Sequence, residues 1–107
     1  MSKRVKKHAP LLQWMSKAKP RTLKSIIKAA DKDLVDTLCE CGLNVLKGNV
    51  PLSPTQKKKL GKYKSVLRAL AKKGTPLQKK KALLQKGGFL GALLGPVLGV
   101  LGHLLFQ

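Results

Sequence analysis

After Lys86 the chain carries no formally charged side chain. In residues 89–107, FLGALLGPVLGVLGHLLFQ, only His103 and Gln107 are polar. Any fold open to this chain must house that run in a bilayer, against a partner, or at its own centre. As a helix it reaches about 28 Å, near the minimum for crossing a hydrocarbon core. Gly87, Gly91, Gly95 and Gly99 recur at every fourth position. They lay a smooth strip along one helical face and suit self-association by close helix approach. Gly88 and Gly102 add flexibility, and Pro96 is expected to kink or interrupt the helix. Three dispositions follow: a tail anchor, a segment that inserts conditionally, and a pair of short helices broken at Gly95-Pro96 and packed on a bundle or on copies of itself. In the membrane readings Phe89, Leu90, Leu93, Leu94, Val97, Leu98, Leu101, Leu104 and Leu105 meet lipid. Lys79, Lys80, Lys81 and Lys86 then flank the segment, as positive charges do at a cytoplasmic membrane face.

The rest of the chain has the opposite character. The 107 residues hold 23 Lys and Arg against four acids, for a net charge of +19. Such a charge repels itself in the compact state and seeks a polyanion, nucleic acid first and an anionic membrane second. The length allows one small domain with a modest core. The acids Asp31, Asp33, Asp36 and Glu40 all lie in one short stretch, the best-balanced part of the chain. Cys39 and Cys41 stand two apart and the histidines, His8 and His103, are remote. A four-ligand zinc site is not expected, and helical residues two apart diverge too far for a disulfide. The thiols read as small buried side chains. The start, MSKRVKKHAP, lacks the apolar stretch of a secretory signal. With all carboxylates in one segment, no phosphate-cradling glycine loop and no evident partner for either histidine, the chain reads as non-enzymatic and without cofactor or metal.

Residues 1–8 form a basic arm, expected to be disordered. Its Lys3, Arg4, Lys6 and Lys7 read as a nuclear import signal or a nucleic-acid patch. Leu11, Leu12, Met15 and Ala18 share one side of a short helix, and Trp14 is expected in the core beside them. Insertion between bases or a membrane interface are the alternatives for that ring. Pro20 opens a second helix with Leu23, Ile26, Ile27 and Ala30 on one face and Lys24 and Lys28 away from it. Asp31 is an N-cap for a third helix, with its stripe through Leu34, Leu38, Cys41 and Val45 and a stop at Gly48. Ser53-Pro54-Thr55-Gln56 and Thr75-Pro76-Leu77-Gln78 both read as hydroxyl cap, proline and capping-box glutamine. They start helices near 54 and 76. The first packs Leu60, Tyr63, Val66, Leu67 and Leu70, with Gly61 a weak point and Gly74 a stop. The second turns Leu77, Leu83 and Leu84 inward and Lys79, Lys80, Lys81 and Lys86 outward.

No strand-like alternation occurs. The expected fold is all-α: a bundle of four to five short helices, a basic arm and an apolar glycine-rich helical tail. The expected divisions are 1–19, 20–86 and 87–107. Lysines at i and i+4 weaken a helix, so their density in 51–86 argues for phosphate contacts. The phosphate-binding set is Lys3, Arg4, Lys6, Lys7, Lys57, Lys58, Lys59, Lys62, Lys64, Arg68, Lys72, Lys73, Lys79, Lys80 and Lys81. Lysine is a point charge, which suits backbone neutralisation over base readout.

A basic body followed by Lys86-Gly87-Gly88-Phe89-Leu90 and ALLGPVLGVLGHLL resembles the adenovirus core protein X (mu precursor) family. It is similar too to small basic proteins of Maverick/Polinton and adintovirus elements. The likeness covers roughly the last twenty residues and the general basicity. The adenoviral members are richer in arginine and less helical in pattern. The resemblance implies a virion core protein that neutralises packaged double-stranded DNA, placed in the virion and the host nucleus. It implies processing by a viral cysteine protease between Gly88 and Phe89, with Gln85 where a large aliphatic residue is usual. Such a cut separates a DNA-binding body from a membrane-active peptide. The rival readings are a tail-anchored or lytic membrane protein and a cellular RNA- or ribosome-associated protein.

Overall fold

A computed structural model describes the backbone of residues 2–105 and the side chains of residues 2–102. Among the described residues eight helices follow one another: α1 (Lys3–Lys7), α2 (Ala9–Lys17), α3 (Pro20–Ala29), α4 (Lys32–Leu46), α5 (Pro54–Gly61), α6 (Lys64–Ala71), α7 (Leu77–Leu84) and α8 (Phe89–Leu105). No strand occurs among the described residues, so the fold is all-α.

The helices outnumber the four to five expected, and the reasons are local. Residues 3–7 form a helical turn in place of a disordered arm. The Val5 amide donates to the Ser2 hydroxyl, and Val5 itself is fully buried. One apolar side chain among four cations thus faces the core. The run from 54 to 73 divides after Gly61, its poorest helix former. Lys62 and Tyr63 make the joint, and Leu60, Val66, Leu67 and Leu70 stay buried on both sides of it.

The two capping-box sequences behave differently. At Ser53 the box closes: the Gln56 amide donates to Ser53 Oγ at 3.2 Å, and the Ser53 amide donates to Gln56 Oε1 at 2.9 Å. Thr75 turns the other way. Its hydroxyl lies 3.0 Å from the Ala69 carbonyl and 3.2 Å from that of Lys72, so it serves the C-terminal end of α6. Helix α7 begins at Leu77 after Pro76, with no side-chain cap. Asp31 caps α4 as expected, accepting from the Leu34 amide at 2.9 Å, and Gly48 follows α4 at φ +78°.

The apolar run is one 17-residue helix, not a broken pair. Pro96 lies inside it and withholds one backbone donor. The residue before Pro96 is Gly95, which has no Cβ to clash with the proline ring in the α conformation. The remaining cost is offset by burial. Phe89, Leu90, Leu93, Leu94, Val97 and Leu101 are each 4% exposed or less. Helix α8 packs against α2, α5 and α4. Its apolar face thus lies in the core, and side chains from residues 1–19, 20–86 and 87–107 join one apolar cluster. Helix α4 packs closely on α6, where a Cβ added at Gly42 would meet Leu67 Cδ2 at 3.2 Å. The radius of gyration is 12.7 Å, close to the roughly 13 Å of a compact domain of this length. A projecting tail would exceed it. No single helix among the described residues is long and apolar enough to cross a membrane. Helices α7 and α8 reach that length and composition only together, across an 88° bend.

Candidate nucleic-acid interface

With the apolar run inside, the cations form the shell. Of 23 basic residues, Arg4, Lys32 and Lys80 reach a carboxylate and Lys81 a carbonyl, leaving 19 with neither kind of partner among the described residues. Asp33 takes Arg4 at 3.4 Å and His8 at 3.1 Å. Asp36 takes Lys32 and, at 3.5 Å, Lys80. The hydrogen bond from Lys32 holds the Asp36 carboxyl below its usual 3.8, against the opposing effect of burial. All four acids lie on or beside α4, so the surfaces of α2, α3, α5 and α6 carry cations without internal neutralisation.

Lys57, Lys58, Lys59, Lys62, Lys64, Arg68, Lys72 and Lys73 are all exposed on α5, α6 and their flanks. The pattern that turns Leu60, Val66, Leu67 and Leu70 inward leaves these positions outside. Lys59 and Lys62 rim a groove of about 430 Å³ between α5 and α8. Gly91 and Gly95 line its α8 side, and neither meets another atom within 4 Å of an added Cβ. Gly99 is equally open, so Gly91, Gly95 and Gly99 of the expected glycine strip face solvent in the single chain, whereas Gly87, also open, precedes α8 and is not part of its face. Lys3, Lys6, Lys7 and Lys79 are also exposed.

Three members of the expected phosphate set are placed otherwise. Lys81, expected outward, is 9% exposed, and its ammonium donates to the Lys28 carbonyl at 3.0 Å. It satisfies the C-terminal end of α3 and is not free for a ligand. Lys80 is largely covered and paired with Asp36, and Arg4 is tied to Asp33. Sequence reasoning left out Arg21, Lys24 and Lys28, which are exposed on α3. Their signal was present: the apolar face through Leu23, Ile26 and Ile27 leaves Lys24 and Lys28 on the opposite side.

His8 has a partner that its sequence position does not reveal. Its ring sits 2.8 Å from the Arg4 carbonyl and 3.1 Å from Asp33, with Thr37 Oγ1 at 3.5 Å. The composition mimics a catalytic constellation, but Thr37 is fully buried and donates to the Asp33 carbonyl at 2.7 Å. The group clamps α1 to α4. Cys39 and Cys41 are buried free thiols. Burial pushes both upward, Cys41 to about 12, which disfavours the reactive thiolate. No group of three or more metal-ligating side chains forms among the described residues.

The expected cleavage point is a structural joint. Gly88 has φ +80°, and a Cβ there would lie 2.8 Å from Tyr63 Oη. The Tyr63 hydroxyl donates to the Gly87 carbonyl at 2.7 Å, and its ring packs at 58° on Phe89, 5.4 Å between centroids. A protease engaging Phe89 and Leu90 has to draw both from the core. Six of the nine side chains expected to meet lipid are core residues; Leu98 is half-buried, and Leu104 and Leu105 lie outside the described side chains. Trp14, expected in the core, is 55% exposed: Leu12 and Met15 turn fully inward, leaving Trp14 and Leu11 outside.

No protein-family model, curated protein or solved structure matches the chain.

Proposed function

We propose that the protein is a non-enzymatic nucleic-acid-binding protein that neutralises phosphate backbones with a shell of lysine. The supporting observation is the set of 19 basic side chains with neither a carboxylate nor a carbonyl partner among the described residues, carried on a body with its own apolar core. Cations at this density destabilise a compact chain by mutual repulsion, and phosphates relieve it. Lys57, Lys58, Lys59, Lys62, Lys64, Arg68, Lys72 and Lys73 make the principal contacts, with Lys3, Lys6, Lys7 and Lys79 in support. The resemblance to small virion core proteins names packaged double-stranded DNA as the ligand. The membrane reading is less favoured, because most of the side chains it needs are interior.

The test is duplex binding at several salt concentrations. Each neutralised phosphate contributes about 0.9 to the slope of log affinity against log salt. Six to ten contacts lower affinity by roughly 10³- to 10⁵-fold between about 50 and 200 mM salt. Binding that is absent at low salt, or indifferent to salt, excludes the reading.

A further inference from the structure

We propose that Trp14 is a stacking platform for an unpaired base, so that the shell engages single-stranded nucleic acid beyond simple charge neutralisation. The inference rests on the phosphate-binding reading and adds to it.

Helix α2 inserts Leu12 and Met15 into the core and leaves Trp14 with more than half its surface in solvent. Leu11, one turn earlier, is 37% exposed and extends the apolar patch. A lone exposed aliphatic side chain needs no explanation. An indole offered beside a second apolar side chain, with exposed cations before and after it in the chain, is a different case. Lys7 precedes the patch, and Lys17, one turn after Trp14, closes it; both are exposed. No acid occurs in α1, α2 or α3. Rings interleaved with cations are what a single strand requires, because each nucleotide offers one flat face and one phosphate. A duplex hides its base faces in the stack and has none to offer Trp14. A lipid surface asks for a continuous apolar face. Here the remaining apolar residues of α2, Ala9, Leu12 and Met15, are spent on the core.

Trp14 is the only tryptophan, so its fluorescence reports on this site alone. The full chain is titrated with oligo-dT, a duplex of equal charge, an abasic phosphodiester of equal charge and anionic vesicles. Binding is followed in parallel by anisotropy of labelled nucleic acid. Oligo-dT is expected to quench Trp14, whereas the duplex and the abasic strand bind without quenching. Trp14→Ala weakens oligo-dT binding by roughly 5- to 150-fold, the range for loss of one stacked base. It leaves duplex and abasic binding unchanged. If oligo-dT and abasic strand bind equally and neither alters emission, stacking is overturned while phosphate binding stands. If no nucleic acid binds, both fail. A blue shift with vesicles and none with oligo-dT makes lipid the occupant and overturns the proposal.

Discussion

Ending the chain at Gly88 removes α8 and with it Phe89, Leu90, Leu93, Leu94, Val97 and Leu101, each 4% exposed or less. Full burial of such a side chain contributes about 1.5–3 kcal/mol. Six of them amount to roughly 9–18 kcal/mol, as large as the whole stability of about 5–15 kcal/mol of a small domain. The partners left behind, among them Leu12, Met15 and Leu60, lose their cover as well. Residues 1–88 are therefore expected to be unfolded in isolation. Circular dichroism at 222 nm and urea titration read this directly: the full chain unfolds cooperatively, and 1–88 shows weak helicity and no transition. Leu94→Ala in the full chain is the graded control, costing about 2–5 kcal/mol while keeping the transition. A 1–88 fragment that retains the helical signal and the same urea midpoint would refute the reasoning. It would restore a basic body independent of a detachable tail.

Three further outcomes follow from particular residues. Lys81→Met keeps the buried stem but removes the donor to the Lys28 carbonyl; it should cost about 1–3 kcal/mol in urea unfolding, whereas exposed Lys79→Met should stay within about 0.5 kcal/mol. Gly99→Ala meets nothing within 4 Å and should stabilise by up to about 1 kcal/mol through helix propensity, while Gly95→Ala gains less because it precedes Pro96; a loss at Gly99 would show that another copy covers the strip. Asp36 is held below its usual 3.8, chiefly by the Lys32 hydrogen bond, so its contribution is complete above that value and disappears as pH falls through the lower folded value; urea midpoints between pH 6 and 2 should fall less steeply for Asp36→Asn.

Much of the fold was legible because it depends on local patterning. The α4 stripe, its Asp31 cap and its Gly48 stop all follow from short-range periodicity and backbone chemistry. The inward faces of α3, α5 and α6 follow similarly. The misreadings concern choices that the local sequence leaves open. Thr75 and Ser53 head near-identical strings, yet a hydroxyl can serve the helix before it or the one after. The C-terminal end of α6 lay within reach of Thr75. Lys81 looks like its neighbours Lys79 and Lys80, and only the arrival of the α3 terminus beside α7 turns it inward. Trp14 and Leu12 stand two apart and so on different faces of a short helix, and the face that meets α8 is the one carrying Ala9, Leu12 and Met15. The apolar run was the largest ambiguity. Hydropathy measures the need for burial but does not say whether lipid or the protein's own helices supply it. In the candidate site, the exposed lysines of α5 and α6 were readable from the helical period. The pairing of Arg4, His8 and Lys80 with the α4 acids was not, because it joins residues distant in the chain.

Lysine acetylation mapped by mass spectrometry, with and without saturating duplex at low salt, tests the joint claim of an apolar centre and a phosphate-binding shell. Lys57, Lys58, Lys59, Lys62, Lys64, Lys72 and Lys73 should react readily in the free chain and be protected in the complex, while buried Lys81 stays unreactive in both. Equal labelling of the shell lysines with and without DNA, or Lys81 reacting as fast as Lys79 in the free chain, would contradict the account.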